Sequence, residues 1–307
     1  MSEKIYTQEM FCKKSQAKKK STDDMRPQIT YLSDAIRRLK SNKAALLSLV
    51  LLTVIFILAV FVPVFGTTDY RQQNPALINQ APSAQNWFGT DSLGRDLFVR
   101  CWMGARISLL IAFIATFINV TIGIVYGGVS GYFGKKTDLL MMRIIEIIYS
   151  VPDLLWVMLL MVIMGPGLKT IITAISITGW GSMARLVRGQ VLQLKQMEYV
   201  QAAKLLGADF RRIIFKHLIP NAMGPIIIDL TFSIPNAIFA EALLSYLGLG
   251  IPVPLASWGT LANEGARMLL LKPYQLFFPA LLLSLTMLSF NLLGDGLRDA
   301  LDPKLRR

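Results

Sequence analysis

The chain has 307 residues, 53% of them hydrophobic and only 17% charged, with a mean hydropathy of +0.49. A soluble domain carries about one-quarter charged residues, so this composition excludes an ordinary soluble globular protein and points to the membrane. The net charge of +13 is compatible with nucleic-acid binding, but the positive residues are segregated along the chain instead of gathered in one patch, which argues against it.

Met1 to Lys43 is polar and basic, with Lys13-Lys14 and Lys18-Lys19-Lys20. A cleavable signal needs its apolar run much nearer the start, so this stretch is expected to be a retained cytoplasmic tail. Ile29, Leu32, Ile36 and Leu39 give Pro27 to Lys43 the pattern of an amphipathic surface helix. Ala44 to Phe65 holds no charged residue. It is long enough to span, since about 20 apolar residues cross a bilayer. Gly66 to Arg100, rich in Asn, Gln and Pro, then lies outside. Within it Thr90 or Asp91 can cap a short helix, and Gly89 and Gly94 permit turns. The bland account is a structural loop whose aromatics anchor in the interface.

Ile107 to Gly134 predicts a long second span, in which Gly123, Gly127, Gly128 and Gly131 allow close helix packing or a bend. Lys135, Lys136 and Arg143 mark the return to the cytoplasm. Ile144 to Met164 is the third span, interrupted by Pro152 and Asp153. Gly165-Pro166-Gly167 makes a tight external turn, and Thr170 to Ala184 a short fourth span. Leu218 to Ala240 is the fifth, broken by Pro225 and Pro235. Leu244 to Trp258 is expected outside as a packed loop in preference to a re-entrant one, and Phe277 to Leu293 is the sixth span. In this arrangement 25 of the 32 lysines and arginines fall inside and 7 outside. That bias follows the positive-inside rule and places both termini in the cytoplasm. Cys12 and Cys101 fall on opposite faces and cannot pair within one chain. The expectation is an all-α polytopic protein of six transmembrane helices. It divides into a basic tail (1–43), the first span with its large external segment (44–105) and the main transmembrane domain (106–307).

The longest charged interval between two spans is Glu198 to Asn221. Ala202, Ala203, Leu205, Leu206, Phe210, Ile213 and Ile214 make it too apolar for a plain linker. Lys204, Arg211, Arg212 and Lys216 keep it out of the hydrocarbon. Gly207 suits a left-handed residue ending one short helix, and Asp209 can cap the next. Two readings stand on the residues alone: two short helices with a docking face, or an amphipathic hairpin lying on the membrane.

No Gly-x-x-x-x-Gly-Lys-Ser/Thr run occurs, so ATP binding through a phosphate loop is not expected. One histidine and two separated cysteines have no metal-ligand spacing, and no nucleophile stands with a base. No catalytic or metal residue is expected. Ionisable residues within spans are costly in lipid and usually face protein or water. Asp229, midway along the fifth span, and Asp153 in the third are candidates for a translocation path. Glu146 has a simple explanation in an ion pair with Arg143, and Glu241 in exposure to water at the outer end of its helix.

Ala202-Ala203, three residues, Gly207, and Pro220 at the matching distance resemble the EAA loop of ABC importer permeases. Gln201 departs from that family's usual Glu, and His217 from its common Ile. Phe88-Gly89-Thr90-Asp91-x-x-Gly94-Arg95-Asp96 resembles the C-type subunit of dipeptide and oligopeptide permeases in particular. So do His217-x-x-Pro220-Asn221, the run from Glu241 to Gly250 and that from Asn291 to Pro303. The resemblance runs from about Ala44 to the C-terminus and identifies residues 106–307 as a permease domain. It implies a coupling helix between spans 4 and 5, with Glu198, Gln201, Ala202, Ala203, Leu206, Gly207, Phe210 and Pro220 at the ATPase contact. It further implies a second homologous permease subunit, two cytoplasmic ATPases that use ATP and Mg, and an extracytoplasmic peptide-binding protein. This chain itself would carry no cofactor and bind no nucleic acid. Asp91, Arg95 and Asp96, within Thr67 to Arg100, would meet the binding protein. The expected setting is the lipid of a prokaryotic cytoplasmic membrane, and the expected cargo is an oligopeptide or dipeptide. A nickel or nickel-chelate importer is the alternative within the family. An ATP-independent secondary transporter is the alternative outside it, and it lacks the matching halves of repeated carriers.

Overall fold

The computed structural model describes residues 31–66 and 68–301. The earlier part of the basic tail with Cys12 and its lysine runs, Thr67, and the terminal Lys304, Arg306 and Arg307 lie outside the described residues. Among the described residues the regular elements are all helices, apart from one isolated bridge between Thr90 and Asp96. A short amphipathic helix, α1 (Tyr31–Ser41), leads in, and Asp34 pairs with Arg37 and Arg38 on its surface. Asn42 then interrupts the run and caps the next helix, accepting the N–H groups of Ala44 (3.1 Å) and Ala45 (3.2 Å). That helix, α2 (Lys43–Phe65), carries the uncharged stretch and leaves large apolar side chains such as Leu47, Phe56 and Val64 exposed. Lipid is the solvent such a surface requires, because no aqueous domain tolerates so continuous an apolar face.

The second long helix, α3 (Leu97–Phe133), begins ten residues before the expected Ile107. Asp96 caps it by accepting the Phe98 N–H at 2.8 Å. Arg100 and Arg106 suggest a watery loop in sequence, but Arg100 is fully buried between carboxylates, so the helix runs through it. The glycine stripe does not bend α3. It brings α3 against α6 (Leu168–Leu194): a Cβ at Gly123 would stand 2.6 Å from the Met183 side chain, and one at Gly131 2.9 Å from the Arg188 carbonyl and from Val191. With no methyl in the way the two backbones approach closely, the small-residue packing that membrane interiors favour.

The third span is a broken one. α4 (Lys135–Tyr149) and α5 (Asp153–Met164) meet at 78° across Pro152, where the proline forbids a continuous ladder. α6 is longer than the expected Thr170 to Ala184 because its arginines are accommodated inside the helix. Arg188 forks onto Asp138 of α4, and Arg185 stacks 4.7 Å over the Tyr149 ring. After α6 come α7 (Glu198–Leu205), the single turn α8 (Phe210–Arg212), a π-helical turn (Ile213–Leu218) and α9 (Ile219–Tyr246). Pro225 and Pro235 lie inside α9 without ending it. The stretch 247–257 is packed against the bundle, with Ile251, Ala256 and Ser257 buried. It leads into α10 (Trp258–Arg267), a helix that the sequence analysis does not anticipate, and then α11 (Tyr274–Leu301) closes the bundle.

Among the described residues five helices are long and apolar enough to cross a bilayer, and the bent α4–α5 pair makes six when counted as one span. Apolar packing concentrates at two levels. One joins α2, α3, α9, α10 and α11 around Trp258, Trp102, Ile238 and Phe290. The other joins α3, α6, α7 and α9 around Val187, Val191, Val200, Ile213 and Leu218. The second cluster roots the segment after α6 in the membrane bundle. At 1.5 Å per residue, α3 holds the two ends of the molecule about 50 Å apart.

Candidate functional site

At one end of the bundle, α7 and α8 form the hairpin expected between the fourth and fifth long spans. Val200 is fully buried and anchors it. Gln201 Nε2 donates to the Lys195 carbonyl at 2.8 Å, so this departure from the family's Glu binds backbone within its own chain. Lys204 lies 5.4 Å above the Tyr132 ring, and Phe210 packs 5.7 Å from Phe133, tying both halves to the end of α3. Gly207 has φ +81°, as the helix-ending role requires. Asp209 caps the next turn, accepting the Arg212 N–H at 3.0 Å. Held from behind in this way, the hairpin turns a face outward. Glu198, Ala202 and Pro220 are exposed, Ala203 is half-buried, and Leu205 and Leu206 are 90% and 88% exposed at the tip. Two bare leucines stand at the tip beside small alanines, on a rim of charges.

At the other end, residues 68–96 fold against α10 and α11 around a buried charge cluster. Asp91 accepts N–H groups from Leu93 (2.8 Å) and Arg95 (2.9 Å) with Oδ1, and Arg95 Nε (2.7 Å) and Arg100 with Oδ2. Arg100 also reaches Glu264 of α10 at 2.6 and 3.2 Å. Two carboxylates and two guanidiniums balance, which is what permits their burial. Asp91 and Arg95 are each only 4% exposed, so both are committed within this chain and offer a partner almost no surface. Asp96 is the cap of α3. Burial pushes its carboxyl above the usual carboxylate range, against the opposing pull of the amide hydrogen bonds it accepts. The exposed surface of this end includes Arg71 to Ala76, Ile78, Gln80 to Gln85, Trp87, Ser92 and Leu93.

The two acids in the spans separate. Asp153, at the start of α5, lines a cavity of about 290 Å³ between α3, α5, α6 and α9. Asp229 is half-buried on α9, four residues before the cavity-lining Ser233, and its Oδ2 has no hydrogen-bond partner. Glu146 forms its ion pair with Arg143 at 2.8 Å. Glu241 corrects the sequence-based account. It is fully buried and accepts hydrogen bonds from Ser108 (2.8 Å) and Ser245 (2.6 Å), joining α3 to α9. Glu264 is the member of the charge cluster that sequence reasoning misses. Its one signal was indirect: two arginines in a segment beside the membrane need counter-ions. Cys101 is a buried free thiol whose carbonyl accepts the Trp258 indole N–H at 3.1 Å.

A polytopic helical bundle with a bare-tipped hairpin between its fourth and fifth spans is the arrangement of a membrane permease. The chain belongs to the family of binding-protein-dependent transport system inner membrane components, which matches residues 119–307. The N-terminal transmembrane domain of oligopeptide transport permease C matches residues 30–82. The chain is 54% identical over 274 residues to the oligopeptide transport system permease protein OppC of Bacillus subtilis, covering 89% of this chain and 90% of that one. It is also 54% identical to the dipeptide transport system permease protein DppC of the same organism, covering 95% and 92%. The Escherichia coli K12 oligopeptide transport system permease protein OppC is 42% identical over 89% of this chain and 91% of its own length. Among solved structures, a chain of the MetNI methionine ABC transporter, in inward-facing conformations, superposes with a TM-score of 0.56 at 19% identity. It covers 67% of this chain and 96% of that one, a likeness of fold.

Proposed function

We propose that this chain is one of two homologous permease subunits of an ABC importer that takes up oligopeptides or dipeptides across a prokaryotic cytoplasmic membrane. The observation that carries this is identity of 54% to both an oligopeptide and a dipeptide permease across nearly the whole chain. The hairpin supports it. Its buried root at Val200 and bare tip at Leu205 and Leu206 suit a knob pressed into a cytoplasmic ATPase, with Glu198, Gln201, Ala202, Ala203, Gly207, Phe210 and Pro220 shaping it. ATP and Mg are then used by the ATPases, and this chain supplies the passage. The termini and the hairpin lie in the cytoplasm, and the division 1–43, 44–105 and 106–307 separates tail, first span with outer segment, and permease domain. The extracytoplasmic binding protein meets the exposed part of residues 68–96, with Asp91, Arg95 and Asp96 holding that surface in shape from beneath. Closure of the ATPases pulls on the hairpin. The contacts to Tyr132, Phe133 and Lys195 pass that movement to α3 and α6, which line the cavity.

Deletion of the chain tests the reading. An amino-acid auxotroph lacking it should fail to grow on a peptide source while free amino-acid uptake stays intact. Continued growth on di- and oligopeptides with loss of nickel accumulation would replace the peptide with a metal.

A further inference from the structure

The cavity between α3, α5, α6 and α9 has an uneven chemistry. Its polar lining is Asn119, Asp153, Thr178, Ser182, Ser233 and Asn236, and its wall contains no lysine, arginine or histidine. Asn119 is only 8% exposed, and its Oδ1 has no hydrogen-bond partner. The amide is seated against Gly179 of α6, where a Cβ would come within 2.8 Å of its Cγ. That amide oxygen is packed into the contact between α3 and α6 and is closed to solvent, so the acceptors presented to the cavity are the other polar side chains of its wall. Asp153 opens onto the same space, and among the described residues it has no cationic partner. On α9, Asp229 lies on the same helix face as Ser233, Asn236 and Ala240, one turn beyond the cavity's lining on the hairpin side.

Acceptors and a carboxylate without a base favour a cation rich in donors. A divalent metal ion fits poorly, because no group of three or more His, Cys, Asp or Glu side chains gathers among the described residues. An ammonium group supplies one charge and three donors and fits. We propose that this cavity is the chain's half of a transit site for the α-ammonium group of a peptide. Asp153 balances the charge, and polar side chains of the wall such as Thr178 and Asn236 accept hydrogen bonds. The volume is at the small end for a ligand pocket, so it holds the first residue or two, and the remainder of the peptide extends beyond this chain's wall. This rests on the peptide reading above and adds where, and by which end, the peptide is held in passage.

The test uses the intact complex without its binding protein, so that the binding protein's own selectivity plays no part. In a Cys12→Ser background, with the buried Cys101 left in place, Ser182→Cys puts a thiol on the cavity wall. Millimolar trialanine should slow its alkylation several-fold, and N-acetyl-trialanine should not. Asp153→Asn should abolish the protection and Asp153→Glu retain it. Equal protection by the two peptides overturns the site, as does protection by Ni²⁺ alone or loss in Asp153→Glu as well. Absence of protection in a complex that imports trialanine in proteoliposomes overturns the site and leaves the peptide reading standing. A complex that imports no peptide at all once its binding protein is restored defeats the peptide reading, and the site with it.

Discussion

Gly207 offers the sharpest perturbation of the hairpin because its substitution acts through the backbone alone. It has φ +81°, and no atom lies within 4 Å of where a Cβ would stand. Crowding therefore contributes nothing, and the left-handed conformation contributes everything. An L residue there costs about 1–2 kcal/mol, with β-branched side chains at the upper end. Asparagine tolerates this region several-fold better than other residues. Since about 1.4 kcal/mol is a factor of ten in an equilibrium constant, Gly207→Val should depopulate the native turn by about tenfold against a relaxed backbone. ATPase affinity should fall by up to that factor, in full where the relaxed hairpin becomes the major state, because only the competent hairpin docks. The assay is titration of the purified permease pair with its ATPase subunits, with Gly207→Asn as the permissive control. Unchanged affinity for Gly207→Val, or equal damage from Gly207→Asn, would refute the link between this backbone geometry and docking.

Other outcomes follow from the packing. Arg100→Met should lower the stability of the purified chain by less than the about 3–5 kcal/mol of a fully broken buried pair, since Arg95 still reaches both Asp91 (2.7 Å) and Glu264 (3.5 Å) and Glu264 is partly exposed. Thermal unfolding should show a smaller loss when Glu264→Gln is already present, and an unmoved midpoint for the single variant would count against the buried cluster. Gly127→Leu should prevent α3 from seating on α6, because a Cβ there already meets the Ala184 carbonyl. Gly128→Ala, whose Cβ finds its nearest neighbours at 3.5 and 3.6 Å, should fold normally. Yields of folded protein that do not differ between these two would contradict the helix contact. In a chain otherwise free of cysteine, the thiol of Ser83→Cys should react with an impermeant reagent from outside the cell, and that of Ala208→Cys only after permeabilisation. Labelling of Ala208→Cys from outside would reverse the topology.

Legibility in the sequence followed the range of the forces involved. α2 was visible because Ala44 to Phe65 contains no charge, and burial in lipid is a property of a continuous stretch. The hairpin was visible for a related local reason: Gly207 and Asp209 announce a helix end and a helix start within three residues. The start of α3 was misplaced because Arg100 is compatible with burial only if Asp91 and Glu264 are near, and Glu264 is 164 residues away. The same distance hid Glu264 itself. Glu241 was taken for a solvated end residue because its two serine partners sit on α9 and α3, and only the packed bundle brings Ser108 to it. The glycines of α3 allowed either a bend or a close contact, and the choice depended on α6. α10 was missed because ten residues with a polar face, capped by Ser257, have too little apolar length to stand out.

The central claim is ATP-driven peptide import through this chain, and reconstitution tests it directly. Proteoliposomes containing the chain with its second permease subunit, both ATPases and a peptide-loaded binding protein should accumulate labelled trialanine only while ATP is hydrolysed on the hairpin side. Accumulation by the chain alone without ATP, or sustained hydrolysis with no peptide entering, would contradict it.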